Sequence, residues 1–138
     1  MVALKGRDID AFLARPDAAH PIVMVYGPDA GLVRERIEAL VRLSVDNPDD
    51  PFSFIRIDGD DLAGNPQRLI EEATTIPLFG GRRAILVRAT GRNINAAVEP
   101  VLATRLADCR VLIEAGDLKR NAPLRTLCER AKNAAVIP

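Results

Sequence analysis

Histidine and cysteine are scarce: the 138 residues hold only His20, Cys109 and Cys128. Zinc sites draw several such ligands at fixed spacing, and histidine-based triads need an acid and a nucleophile arranged around the ring. With His20 in "AAHPI" and neither Ser44 nor Ser53 in a nucleophile elbow, no catalytic residue, metal or cofactor is expected. The cysteines sit in an apolar run and an amphipathic stretch without CxxC spacing, so both are expected to be reduced core residues. Charge of one sign is missing too. Nineteen Lys and Arg balance nineteen Asp and Glu, which removes any overall pull toward nucleic acid or anionic lipid. No apolar run approaches the ~18 residues of a membrane span, and the start has no basic stretch followed by an apolar one. A cytoplasmic protein without membrane contact is the expectation. Low-complexity tracts and internal repeats are also lacking. What remains, 48% apolar and 28% charged, fits one globular domain over residues 1–138.

Five short apolar runs are present, at Ile22 to Tyr26, Ser53 to Ile57, Ala84 to Arg88, Arg110 to Glu114 and Ala134 to Ile137. Three are almost unbroken, as strands buried on both faces are. The second alternates, with Phe52, Phe54 and Arg56 on one side, which suggests a sheet edge. Between the runs lie helical patterns. Gly31 to Val45 places Val33, Ile37, Leu40 and Val41 on one face, with Asp29 as its cap. Asn65 to Thr75 has Pro66 in its first turn; Pro123 to Lys132 has Leu124, Leu127 and Cys128 inward. Ile9 to Leu13 and Asn95 to Thr104, crossed by Pro100, are weaker. Strands and helices in this alternation predict a three-layer α/β domain with a parallel sheet.

"PIVMVYGPDAGLVRER" has the strand, loop and helix of a phosphate-binding loop, with Gly27, Pro28, Asp29 and Gly31 at the turn. Its side chains do not fit one. Such a loop ends G-K-[ST], lysine for the β and γ phosphates and a hydroxyl for Mg²⁺. Counted from Gly27, the corresponding positions are Leu32, Val33 and Arg34, and a loop one residue shorter gives Leu32 and Val33. The third strand ends in "VRAT" and supplies no carboxylate for a metal. Asp58, Asp60 and Asp61 lack calcium-loop spacing, and Asp60 or Asp61 is expected to serve the turn before the next helix.

"EEATTIPLFGGRR" carries an apolar pair where none is needed. Pro77 stops the preceding helix, Gly80 and Gly81 begin the turn into the next strand, and Leu78 and Phe79 stand between them. Two roles are open to the pair: folding back over the helix end, or protruding as a plug for another protein's apolar pocket. In the second role Arg82 and Arg83 would form a charged rim that adds little to fold stability.

In order and spacing, "VYGPDAGLVRER", "RIDGDDL", "EEATTIPLFGGRRAILVR", "VLIEAGDLKRNAPLR" and "AKNAAVIP" resemble the N-terminal domain of the delta subunit of bacterial DNA polymerase III. That clamp-loader subunit opens the sliding clamp. The resemblance covers almost the whole chain and implies a P-loop NTPase-like (AAA+) core, a five-stranded parallel sheet in the order 5-1-4-3-2, and a lost ATP site. It also implies that a Leu-Phe pair, here Leu78 and Phe79, enters the clamp's peptide-binding pocket, with Pro77, Arg82 and Arg83 beside it. The implied partners are the sliding clamp (beta subunit) and, for the full-length protein, the other loader subunits. DNA contact is then indirect or weak. Family members continue into helical lid and collar domains that are absent here, so a monomeric fragment is expected. Two rival readings are a nucleotide-binding P-loop enzyme and a stand-alone α/β interaction domain with a different partner.

Overall fold

Unbroken Ile, Val and Met at Ile22–Val25 can be satisfied only with cover on both faces, and that is where the chain puts them. The computed structural model describes residues 2–3, 7–15, 19–76, 81–106 and 108–138. Six parallel strands form one sheet: β1 (Val2–Ala3), β2 (Ile22–Val25), β3 (Phe54–Asp58), β4 (Arg83–Arg88), β5 (Cys109–Glu114) and β6 (Ala134–Ile137). Their order is β1-β6-β2-β5-β4-β3. Without β1 this is the predicted five-strand order. The two-residue edge strand β1 is an addition, too short to leave a period in the sequence.

Alternate residues divide the core in two. Ile22 and Met24 of β2, with Val111 and Ile113 of β5, face one cluster; Val23, Val25 and Leu112 face the other. The second face is covered by α1 (Arg7–Ala14) and α2 (Ala30–Ser44), which contribute Ile9, Phe12, Val33, Ile37 and Leu40. The first is covered by α3 (Gly59–Gly64), α4 (Gln67–Ala73), α5 (Asn95–Leu102) and α6 (Pro123–Arg130), through Leu62, Leu69, Val98 and Leu124 among others. α3 replaces the turn expected at "DGDDL". Leu62 is fully buried, and Asp60 accepts a hydrogen bond from the Thr90 hydroxyl at 2.7 Å. Gly59 is required there, because a Cβ would lie 3.0 Å from Thr90 N and 3.1 Å from Arg88 O.

β3 is the sheet edge, as its alternation suggested. Pro66 sits immediately before α4, and α5 stops two residues after Pro100, whose ring cannot donate into the helix. Among the described residues no helix is long and apolar enough to cross a membrane. Cys109 and Cys128 are free and buried, and burial pushes their thiols up to about 11 and about 12. Neither is expected to react with a thiol reagent at pH 8 unless the domain opens. The neutral thiols favour the fold fully below the ordinary value of 9.0, and that contribution is lost as pH rises toward 11 and 12. Labelling rates at pH 8 measured across a urea series check this; labelling that is complete before the unfolding transition would contradict it.

Candidate functional site

At the C-terminal edge of the sheet, β2 runs into Gly27, whose φ of +151° suits glycine. The loop then enters α2, with Asp29 as its N-cap in extended conformation and its carboxylate accepting the Leu32 amide at 3.1 Å. The Gly27 amide donates to Gly116 O at 3.1 Å. Two donors that a phosphate would draw on are therefore already engaged, and a carboxylate stands where the helix N-terminus would attract an anion. Leu32 and Val33, in place of a lysine and a hydroxyl residue, add no charge.

A carboxylate does stand at this edge, contrary to the expectation from the third of the predicted strands. It comes from the neighbouring strand. Glu114 closes β5, is 8% exposed, and is bonded at 3.4 Å by both Arg34 and Arg88. The amide of Ala89 donates to the Glu114 carbonyl, and that of Ala115 to Val25 O, which fixes its backbone. Together Gly31, Arg34, Arg88, Glu114 and Gly116 line a shallow cleft of about 400 Å³. Glu114 ends an otherwise apolar run before "AG", a signal present in the sequence but unread. Among the described residues no group of three or more His, Cys, Asp or Glu could hold a metal ion.

The opposite edge carries the other predicted site. Pro77, Leu78 and Phe79 lie outside the described residues; Arg82 and Arg83 of the same predicted site are described. Arg82 is half exposed and reaches back to α2, donating to Leu43 O and to Asp46, each at 2.8 Å. Arg83 is not a rim residue. It is 5% exposed and is the first residue of β4, whereas Arg82 lies just before the strand. Its guanidinium donates to Phe52 O at 3.2 Å, to the Glu72 carbonyl, to Thr75 O at 3.5 Å and to the Glu72 carboxylate at 3.1 Å. One side chain thus ties the end of α4 to the turn before β3. A fork of five donors on a planar group suits that task, which a lysine could not perform.

Two apolar side chains missed in the sequence flank this anchor. Ile76 is 88% exposed and Phe52 78%, against 41% for Leu32 and 38% for Leu43. Arg83 holds the carbonyl of Phe52 and that of Thr75, next to Ile76, so both belong to one end of the domain. The Phe52 turn is held by Asp50, which accepts the Phe52 amide and the Ser53 hydroxyl, each at 2.9 Å. Those bonds, the Phe52 amide foremost, hold its carboxyl below the ordinary value. Residues 77–80 follow Ile76 directly.

Arg82→Ala is expected to change the unfolding free energy by less than about 1 kcal/mol, because its ion pair with Asp46 is exposed. A urea titration showing a larger loss would mean that the Leu43 contact carries more of the α2 end than an exposed hydrogen bond should.

Solved structures share the architecture. The Bacillus subtilis DNA clamp loader delta protein (YqeN) superposes with a TM-score of 0.67 at 20% identity, over 96% of this chain and 42% of that one. A DNA polymerase III gamma subunit-related protein from Thermotoga maritima gives 0.63 at 14%, over 94% and 45%. At such identities the likeness establishes the fold alone, a three-layer α/β domain built on a parallel sheet. The chain spans less than half the length of either protein. Comparison with curated proteins returned no match. The family model of the DNA polymerase III delta subunit matches residues 24–122, which takes in the Gly27 loop, Glu114 and Arg83, and the chain belongs to that family.

Proposed function

We propose that this chain is the N-terminal, clamp-contacting domain of a clamp-loader delta subunit. It docks on the DNA sliding clamp through Leu78 and Phe79, helps to open it, and takes no part in ATP hydrolysis. The observation that carries this reading is the end of the domain where Ile76 and Phe52 are exposed around an arginine-braced helix terminus, directly before residues 77–80. Large exposed apolar side chains grouped at one end of a folded domain mark a protein contact. Family membership and the fold shared with the Bacillus subtilis protein support the choice of partner. Arg82 is the charged rim, and Arg83 braces the end of α4 against the turn before β3. Other loader subunits are partners of the full-length protein, DNA contact is indirect, and the domain alone is monomeric. Binding of purified sliding clamp, wild type beside Leu78→Ala with Phe79→Ala, tests the proposal.

The degenerate loop is part of the same reading. With the Gly27 and Leu32 amides engaged and Asp29 at the helix start, no saturable ATP binding is expected in the presence of Mg²⁺. Titration with labelled ATP checks this. Saturation at micromolar nucleotide, or turnover above blank, would favour the P-loop enzyme reading instead.

A further inference from the structure

Beside Arg82 and Arg83, the N-terminal edge of the sheet is hollow. Between β2, β4, β5 and the end of α2 lies a cavity of about 270 Å³, lined among others by Ser44, Arg82, Arg83, Asp108 and Arg110. The three arginines differ in how they are compensated. Arg82 pairs with Asp46 and Arg83 with Glu72. Arg110 pairs with no carboxylate among the described residues: its Nη1 donates to the Ser44 hydroxyl at 3.0 Å, and its Nε is buried without an acceptor. Asp108 lines the cavity too, but makes no ion pair with either neighbour.

A half-buried, uncompensated guanidinium is costly, and buried charges elsewhere are paired. The charge of Arg82 adds to the cost: burial first, and then repulsion by Arg82, hold the Arg110 guanidinium below its ordinary value. Two like charges converging on a cavity form a site that an anion completes. Ser44 is fixed by its own bond to Leu40 O and holds the Arg110 fork in place.

We propose that the Arg110 and Arg82 cavity receives a carboxylate side chain of the protein that docks on residues 77–80. The proposal rests on the clamp-binding reading, and its first argument is position. The cavity shares Arg82 and Arg83 with the start of β4, the Arg83 amide donates to Asp108 O at 2.8 Å, and the Arg83 guanidinium holds Thr75 O next to Ile76, so the cavity adjoins the described residues that precede and follow 77–80. Charge is the second argument, since the cavity presents an unpaired cation on a chain with no net charge. A carboxylate inserted there would accept from both arginines while the apolar residues dock alongside.

The test uses the whole chain and purified sliding clamp, with Arg110→Met beside Leu78→Ala with Phe79→Ala. Arg110→Met should leave the unfolding midpoint unchanged or raised, weaken clamp binding about tenfold or more, and flatten its salt dependence. The Arg110 Nε–Hε resonance should shift when clamp is added, and also when acetate is titrated into the free chain. If the Leu78 and Phe79 substitutions abolish binding while Arg110→Met alters neither affinity nor salt slope, this inference falls and the clamp reading stands. If neither variant weakens binding, the clamp reading falls with it. A resonance that responds to inorganic phosphate but not to clamp or acetate would overturn the carboxylate assignment in favour of a nucleic-acid or free-phosphate site. An Arg110→Met that unfolds is replaced by Arg110→Lys, which keeps the charge without the fork and should still weaken binding.

Discussion

Replacing Arg83 with alanine is expected to cost about 2–4 kcal/mol of unfolding free energy. The side chain is 6% exposed, and its partner Glu72 is 32% exposed. Removal leaves a partly buried carboxylate and takes a donor from the carbonyls of Phe52, Glu72 and Thr75, of which Glu72 keeps the Thr75 amide. Part of the charge penalty is relieved by solvent at Glu72, which keeps the figure below that of a fully buried pair. Arg83→Lys should recover only some of the loss, because one ammonium cannot reach both the helix end and the turn before β3. Urea unfolding of both variants checks this. A loss for Arg83→Ala below about 1 kcal/mol would return Arg83 to the class of exposed rim charges.

Truncating Leu78 and Phe79 together to alanine is expected to weaken clamp binding about a hundredfold or more, at roughly 1.5 to 3 kcal/mol for each fully buried side chain. The unfolding midpoint should scarcely move. The competing role, in which the pair covers the end of α4, predicts the reverse: a loss of ~2 to 5 kcal/mol of stability per large side chain and unchanged binding. Ile76 and Phe52 sharpen the contrast. Both are almost fully exposed at that end, so a pair folded back over the helix would leave these two neighbours uncovered, whereas a docked partner would cover all four.

Strand identity was legible because buried parallel strands leave unbroken apolar runs, and Ile22–Val25 and Ala134–Ile137 are buried at every position; the strand order was implied only by the family resemblance. Asp29 was legible as a cap because the residue type and its place before the helix both indicate it. Arg83 was not legible. Adjacent arginines read as a solvated pair, and only a strand beginning at Arg83 itself turns one of them inward, toward acceptors 8 to 31 residues away. Glu114 was hidden for a related reason: its partners, Arg34 and Arg88, lie 80 and 26 residues away. Ile76 and Phe52 were missed as exposed contacts because exposure at a turn leaves no periodic trace; Phe52 was read on the alternating side of the edge strand, whereas it lies in the turn before β3. Side-chain pairing across long separations is set by the sheet, so it becomes visible only once the strands are placed.

The central claim is that residues 78 and 79 carry an interaction with the sliding clamp that the fold does not need. Equilibrium binding of purified clamp to the wild-type chain and to Leu78→Ala with Phe79→Ala, with the unfolding midpoint of each taken on the same preparations, tests it most directly. The account predicts saturable binding by the wild type, loss of that binding in the variant, and matching midpoints. A wild type that fails to bind, or a variant that binds equally well but unfolds earlier, would contradict it.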